Sequence, residues 1–237
     1  MSPAAAWCST TPRRAWRRRR RVSEPTHPYR DLARLAAAAS RLLLNPPDRD
    51  TLAALESDAG VTLDAAQARQ DFYDHLCIAQ SGCFLPPVAH VLAQARQTDA
   101  FWHFATPRHD GGDALMPWYD AAGFDPSSLP ADPFLSGSNR PLDHVGVLLA
   151  FLSMLLDAAQ DDEADRILIG EFLGEHLQPW ADTFAHLLSC SASPYIALLG
   201  SMLGDLFTTV RAAIVPIAPA AIGARPKVIP IQPGIGS

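Results

Sequence analysis

The stretch VGVLLAFLSMLL, Val145 to Leu156, runs for a dozen residues without a charge. A spanning helix needs about 20 apolar residues, so this one is too short to cross a bilayer, and it is too greasy on every side to face water. It reads as a core helix that other helices must cover. The rest of the chain supplies them. Helix starts and stops recur along its length, whereas strand-like alternation is almost absent. Apolar Leu32, Leu35, Leu42 and Leu43 fall at helical spacing between Pro28 and Leu44, and NPP at 45–47 stops that helix. Asp48 opens a second helix that Gly60 closes, and Asp64 opens a third that carries ARQDFYDHLCI. Further helices are expected from Val88 to Gln97, from Leu115 to Ala122 with Gly123 as its stop, and from Leu142 to Ala159. Glu163 to Leu177 and Pro179 to Leu188 follow. A last helix begins with Ser193 as N-cap and Pro194 at its first position.

These spans predict an all-α fold. At 237 residues and 48% hydrophobic the chain can bury one core, as a single helical domain of about eight helices. The segment DPSSLPADPFLSGSNRP, 125–141, has the Ser, Pro and Gly content of a long hinge loop, and it divides the helices into two clusters. The expected organisation is a disordered basic tail over 1–26, the helical domain over 27–214, and an extended Pro/Gly-rich tail over 215–237.

Charge is unevenly placed. Seven of the 19 basic residues are arginines within the first 25 positions, against Glu24 alone. The remainder carries 12 basic and 24 acidic side chains, a balance of -12. Such a body repels nucleic acid and favours a cationic partner. The arginine-rich start is followed by no uninterrupted apolar segment, so it does not read as an export signal. A like-charge block of this type reads as a solvated tail, with a nucleic-acid or membrane-binding arm as the other option. Four cysteines, Cys8, Cys77, Cys83 and Cys190, do not make a disulfide scaffold and fit a reducing cytoplasm.

Catalytic constellations are missing. There is no Gly-x-Ser-x-Gly elbow, no glycine-rich phosphate loop and no His-Glu-x-x-His pair. His75, Cys77, Cys83 and His90 lie close in sequence, yet their spacing is not that of a zinc site, and no metal is expected. Asp143 and His144 stand together at the mouth of the core helix. On a helix adjacent side chains diverge by about 100°, so these two would not act as base and orienter. The bland alternative places Asp143 in the first helical turn, complementing the helix dipole. A helical hydrolase or nucleotide-binding enzyme using Asp143, His144 and His176 is the reading of another class. His176, Trp180 and Phe184 read as interior packing.

Four stretches resemble the TorD/DmsD/NarJ family of redox-enzyme maturation chaperones. DFYDHLCIAQSG (71–82) is similar to the family's aromatic segment before a Ser-Gly turn, and PPVAH (86–90) to its Pro-Pro-Tyr-Glu-Ser motif. PLDHVGVLLAFLSMLL (141–156) resembles its Pro-x-Asp-His helix, and EFLGEHLQPWADTFAHLL (171–188) its Phe-Leu-x-x-His-Leu-x-x-Trp pattern. The likeness covers roughly residues 28–212. The chain departs from the pattern at Leu148, Val88, Ala89 and Cys77.

The resemblance implies a cytoplasmic, non-enzymatic chaperone for a molybdoenzyme. It would bind the twin-arginine signal peptide of the apo-enzyme's catalytic subunit and assist cofactor insertion before export. An assembly factor that recognises a client subunit without a signal peptide is the nearest alternative. The implied signal-peptide site comprises Asp143, His144, Phe72, Tyr73, Leu76, Pro86, Pro87 and Pro141. A guanidinium would meet the Asp143 carboxylate and the apolar segment would lie along Phe72, Tyr73 and Leu76. No tightly bound cofactor is implied, and at most a weak contact with nucleotide or molybdopterin guanine dinucleotide. Monomer and domain-swapped homodimer are both compatible with the 125–141 hinge.

Overall fold

In α1, Pro28–Leu44, the residues Tyr29, Leu32, Ala33, Ala36 and Leu43 share one face and are buried, while Leu35 faces outward. The structure is a computed structural model that describes residues 28–99, 101–135, 140–159 and 163–214. The tails expected over 1–26 and 215–237, and 136–139 of the expected hinge, lie outside the described residues.

Alanines on α1 let the core helix α6, Val145–Ala158, approach closely. Two hydroxyls fasten the pair: Ser40 Oγ donates to the Gly146 carbonyl at 2.6 Å, and Ser153 Oγ to the Ala33 carbonyl at 2.8 Å. Gly146 is required here, since a Cβ would come within 2.7 Å of Leu44 Cγ. The expected caps form. Asp48 and Asp64 accept from Thr51 N and Gln67 N at the starts of α2, Arg49–Ala59, and α3, Ala65–Leu76. Gly60 closes α2 in the left-handed conformation at φ 68°. Gly123 does the same after α5, Met116–Ala122.

Two spans differ from expectation. The helix anticipated over Val88–Gln97 ends early as α4, Ala89–Leu92, and the chain turns into a two-stranded hairpin. β1, Arg96–Thr98, pairs with β2, Phe101–His103, in the register Gln97↔Trp102 and Thr98↔Phe101, so cross-strand aromatic and β-branched pairing wins over helical extension. The core helix starts at Val145 rather than Leu142, because 142–143 form a turn, closed by His144 N donating to the Pro141 carbonyl at 3.1 Å, and His144 bridges to Val88. Asp143 therefore lies outside the first helical turn, and a dipole role there does not apply.

α7, Glu163–Phe172, continues through a π-helical turn at Leu173–Leu177; α8, Ala181–Ser189, and α9, Pro194–Ile214, complete the described chain. At the start of α9, Ser193 Oγ accepts from Ile196 N at 3.2 Å and donates to Asp71 Oδ2 at 2.5 Å, which ties α9 to α3. α9 is 21 residues and long and apolar enough, by length and composition, to cross a membrane. Its apolar face, Tyr195 through Ile214, is instead spent in the protein's own core.

That core is continuous from Tyr29 to Ile214 and draws on both halves of the chain. Aromatic contacts run through its centre: Tyr119 to Phe151 and Phe151 to Phe172, each at 5.0 Å between centroids. The described part of the 125–141 loop is tied down rather than free. Asp132 N donates to the Leu44 carbonyl at 2.9 Å, Tyr73 Oη donates to Asp132 Oδ2 at 2.9 Å, and Asn45 Nδ2 donates to the Pro130 carbonyl at 3.0 Å.

Candidate functional site

Two proline-bearing stretches far apart in sequence, 86–90 and 141–145, run antiparallel and meet in one bridge, Val88 opposite His144. Ala89 N donates to the Asp143 carbonyl at 3.0 Å, and Val145 N to the Pro87 carbonyl at 2.9 Å. Pro86 and Pro87 keep one side extended, and Pro141 opens the turn that leads into the bridge on the other. Pro86 and Pro87 are buried and Pro141 is half-buried, so all three shape the backbone of this site.

His144 caps α6. Its Nδ1 accepts from Gly146 N at 3.1 Å, so the ring proton sits on Nε2, where no partner is found. The ring is 1% exposed. Burial, and then the Arg140 charge, hold its pKa down at about 3.

Asp143 is 2% exposed and does not pair with its neighbour. Its Oδ2 accepts from His90 N at 2.8 Å and from His90 Nδ1 at 2.6 Å. Asp143 Oδ1 is buried with no hydrogen-bond partner, an arrangement that costs about 1–3 kcal/mol. The second ring nitrogen of His90, Nε2, accepts from Arg108 N at 3.0 Å. Backbone N–H groups only donate, so His90 Nε2 is the bare nitrogen and the ring proton lies on Nδ1, facing the carboxylate. Tyr119 packs behind: its hydroxyl donates to the Leu142 carbonyl at 2.9 Å, and burial, then the Asp143 charge, push its pKa up.

Asp143 and His90 line a cavity of about 150 Å³, together with Ala89, Leu148, His176 and Trp180. A dry cavity of about that size accommodates a benzene-sized group, so this one fits a single side chain. Leu148 makes its wall apolar. His176 contributes an Nε2 without a hydrogen-bond partner, 3.8 Å from Glu175 Oε2 at the mouth, and burial lowers its pKa. Trp180 Nε1 donates to the His176 carbonyl at 2.5 Å, which holds the π turn against the cavity. Both residues were expected as interior packing; the structure makes them walls of the site as well.

Phe72 and Leu76 are fully buried in the core, and neither they nor Tyr73 line this cavity. Tyr73 is half-buried, and Phe134, 68% exposed, meets it edge-on at 5.6 Å. The eight residues singled out from sequence thus fall into two groups: five at the bridge between 86–90 and 141–145, and three on α3. His90 is the member that sequence reasoning missed. It stood out only at the end of PPVAH and among the metal candidates, since no local spacing links residues 53 positions apart.

Of the four candidate zinc residues only His75 and Cys83 approach each other, Cys83 Sγ lying 3.9 Å from His75 Nδ1. His75 Nδ1 donates to the Asp71 carbonyl at 2.9 Å, and its Nε2 pairs with Ser191 Oγ at 2.9 Å. Burial pushes the Cys77 thiol up to about 12, away from the thiolate that zinc needs. Among the described residues, no group of three His, Cys, Asp or Glu side chains is placed to hold a metal ion.

A family model described as nitrate reductase delta subunit matches residues 44–186. That span contains α2 through the greater part of α8, the bridge and the whole cavity lining. No curated protein matches the chain, and no solved structure does.

Proposed function

Because the chain belongs to the nitrate reductase delta subunit family, we propose that it is a non-catalytic cytoplasmic chaperone for molybdoenzyme assembly. In this reading it captures the twin-arginine signal peptide of the apo-catalytic subunit and holds it back until the client's molybdopterin guanine dinucleotide is in place. The observation that carries the reading is the unspent Asp143 Oδ1 beside an apolar cavity of side-chain size. A guanidinium on an aliphatic stem is a fitting occupant: the stem lies against Leu148 and the head donates to the carboxylate. The -12 balance of residues 26–237 speeds capture of a cationic peptide. The exposed edge of Phe134 on Tyr73 offers a second, apolar contact for the segment that follows the arginines.

Calorimetry with a synthetic twin-arginine leader peptide tests this. Asp143→Asn preserves size and an acceptor for His90, and it is expected to weaken binding by about 1–3 kcal/mol, the usual value of a charged hydrogen bond. Unchanged affinity would remove Asp143 from the site. The family's description as a nitrate reductase subunit favours a second reading, recognition of a client surface that lacks a signal peptide. Capture of leaderless client as efficiently as full-length client would select it. The third option, an enzyme built on Asp143 and His144, has no assembled dyad: Asp143 is turned to His90 and His144 Nδ1 is spent on the helix cap.

A further inference from the structure

Asp143 Oδ1 has neither a partner nor contact with solvent, so any ligand that reaches it must first displace a wall of the cavity. Part of that wall is Gly111, near the end of the mostly exposed segment 105–112, whose Arg108 amide donates to His90 Nε2. We propose that His90 is the positioning residue of this site: its two ring nitrogens tie Asp143 to the 105–112 segment, reserving Asp143 Oδ1 for a cationic ligand and closing the strap over it until that ligand binds. This rests on the signal-peptide reading for the ligand's identity, but not for the strap itself.

The geometry is specific. With Nε2 occupied by the Arg108 amide, the ring must present Nδ1–H to the carboxylate, and the His90 backbone N–H adds a second donor to the same oxygen. Both donors fall on Oδ2, so the carboxylate is held in one orientation with its other oxygen spare. The strap lies flat because two glycines let it. A Cβ on Gly111 would stand 2.1 Å from His90 Nδ1, and one on Gly112 would stand 2.8 Å from Asp143 N. The strap's charged side chains do not anchor it to the cavity: exposed Arg108 and Asp110 pair with each other at 3.6 Å. Beyond the backbone packing of Gly112 on Asp143, the strap is hydrogen-bonded to the acid through the imidazole.

Three measurements on the full-length chain test the assignment. Nitrogen-15 shifts of the His90 ring should report a bare Nε2 and a protonated Nδ1; the opposite tautomer overturns the proposal. Hydrogen exchange at the Arg108 amide should be slow in the wild type and about tenfold faster in His90→Ala, with the fold checked by circular dichroism. His90→Ala should also bind the leader peptide about tenfold more weakly. The decisive variant is His90→Asn, which can return the donor at the Nδ1 position but not the acceptor at Nε2. It should recover most of the lost affinity while the Arg108 amide stays fast. A residue that merely filled space would move both readouts together, and that result sinks the positioning role. Gly111→Ala, whose Cβ would collide with the ring at the same Nδ1 that holds Asp143, should speed exchange at the same amide and weaken peptide binding with it. Unchanged exchange in that variant also counts against the strap. If the wild type fails to bind the peptide at all, the signal-peptide reading falls, and the ring shifts and amide exchange still decide the role of His90.

Discussion

His144 and Asp143 show how two adjacent residues acquire opposite tasks from backbone geometry alone. Asp143 ends a turn and His144 enters a single bridge with Val88, so the two side chains leave the backbone in different directions. His144 turns into the start of α6 and caps it, while Asp143 turns toward His90 and the cavity. The buried cap has a pH consequence. The folded-state pKa of His144 is depressed to about 3, below its ordinary value of 6.5, so the unfolded chain takes up a proton that the folded one refuses. Its contribution to stability is therefore complete above pH 6.5 and is lost as pH falls from there toward 3. His176, also held down by burial, adds a slope of the same sign. His144→Asn keeps a capping oxygen and removes the titration, so urea unfolding should show a flatter loss of stability between pH 6.5 and 4 than in the wild type. An unchanged slope would mean that the imidazole is solvated in the folded state.

At the scale of elements, the joints between helices are made by small polar groups and by missing side chains. Ser193 serves α9 as a cap and α3 as a donor to buried Asp71. Ser193→Ala should cost about 1–3 kcal/mol in denaturant unfolding, since a cap and a charge-assisted bond go together. Gly200 marks a close approach of α8 and α9: a Cβ there would stand 2.3 Å from Ser189 N and 2.7 Å from Leu188 C. Those are backbone atoms and cannot swing aside, so Gly200→Ala should destabilise by about 1–3 kcal/mol through overpacking. The same substitution at Gly174, where nothing lies within 4 Å, should be tolerated, and the pair forms an internal control in one thermal melt. Helix starts and stops at Asp48, Gly60, Asp64, Gly123 and Ser193 were legible because a cap is a local event, decided by residues within one turn. The hairpin after α4 was not legible, because each of its strands is three residues long, too short for an alternation to show before the two pair.

For the whole molecule, the division of charge should govern kinetics more than affinity. Association of a twin-arginine peptide should slow as sodium chloride rises from 50 to 500 mM, with a smaller effect on dissociation, because a contact buried beside Asp143 is poorly screened. Stopped-flow fluorescence would separate the two rates. The residues themselves were enough to determine an all-helical domain around Val145–Leu156, since hydrophobic period, caps and proline stops act over a few positions. The family resemblance also drew attention to 86–90 and 141–144. Only the tertiary structure decided that these two lie side by side, that His90 rather than His144 holds the acid, and that Phe72 and Leu76 are core. The physical reason is distance along the chain. A contact across 53 residues is selected by the packing of every helix between, and no local preference encodes it.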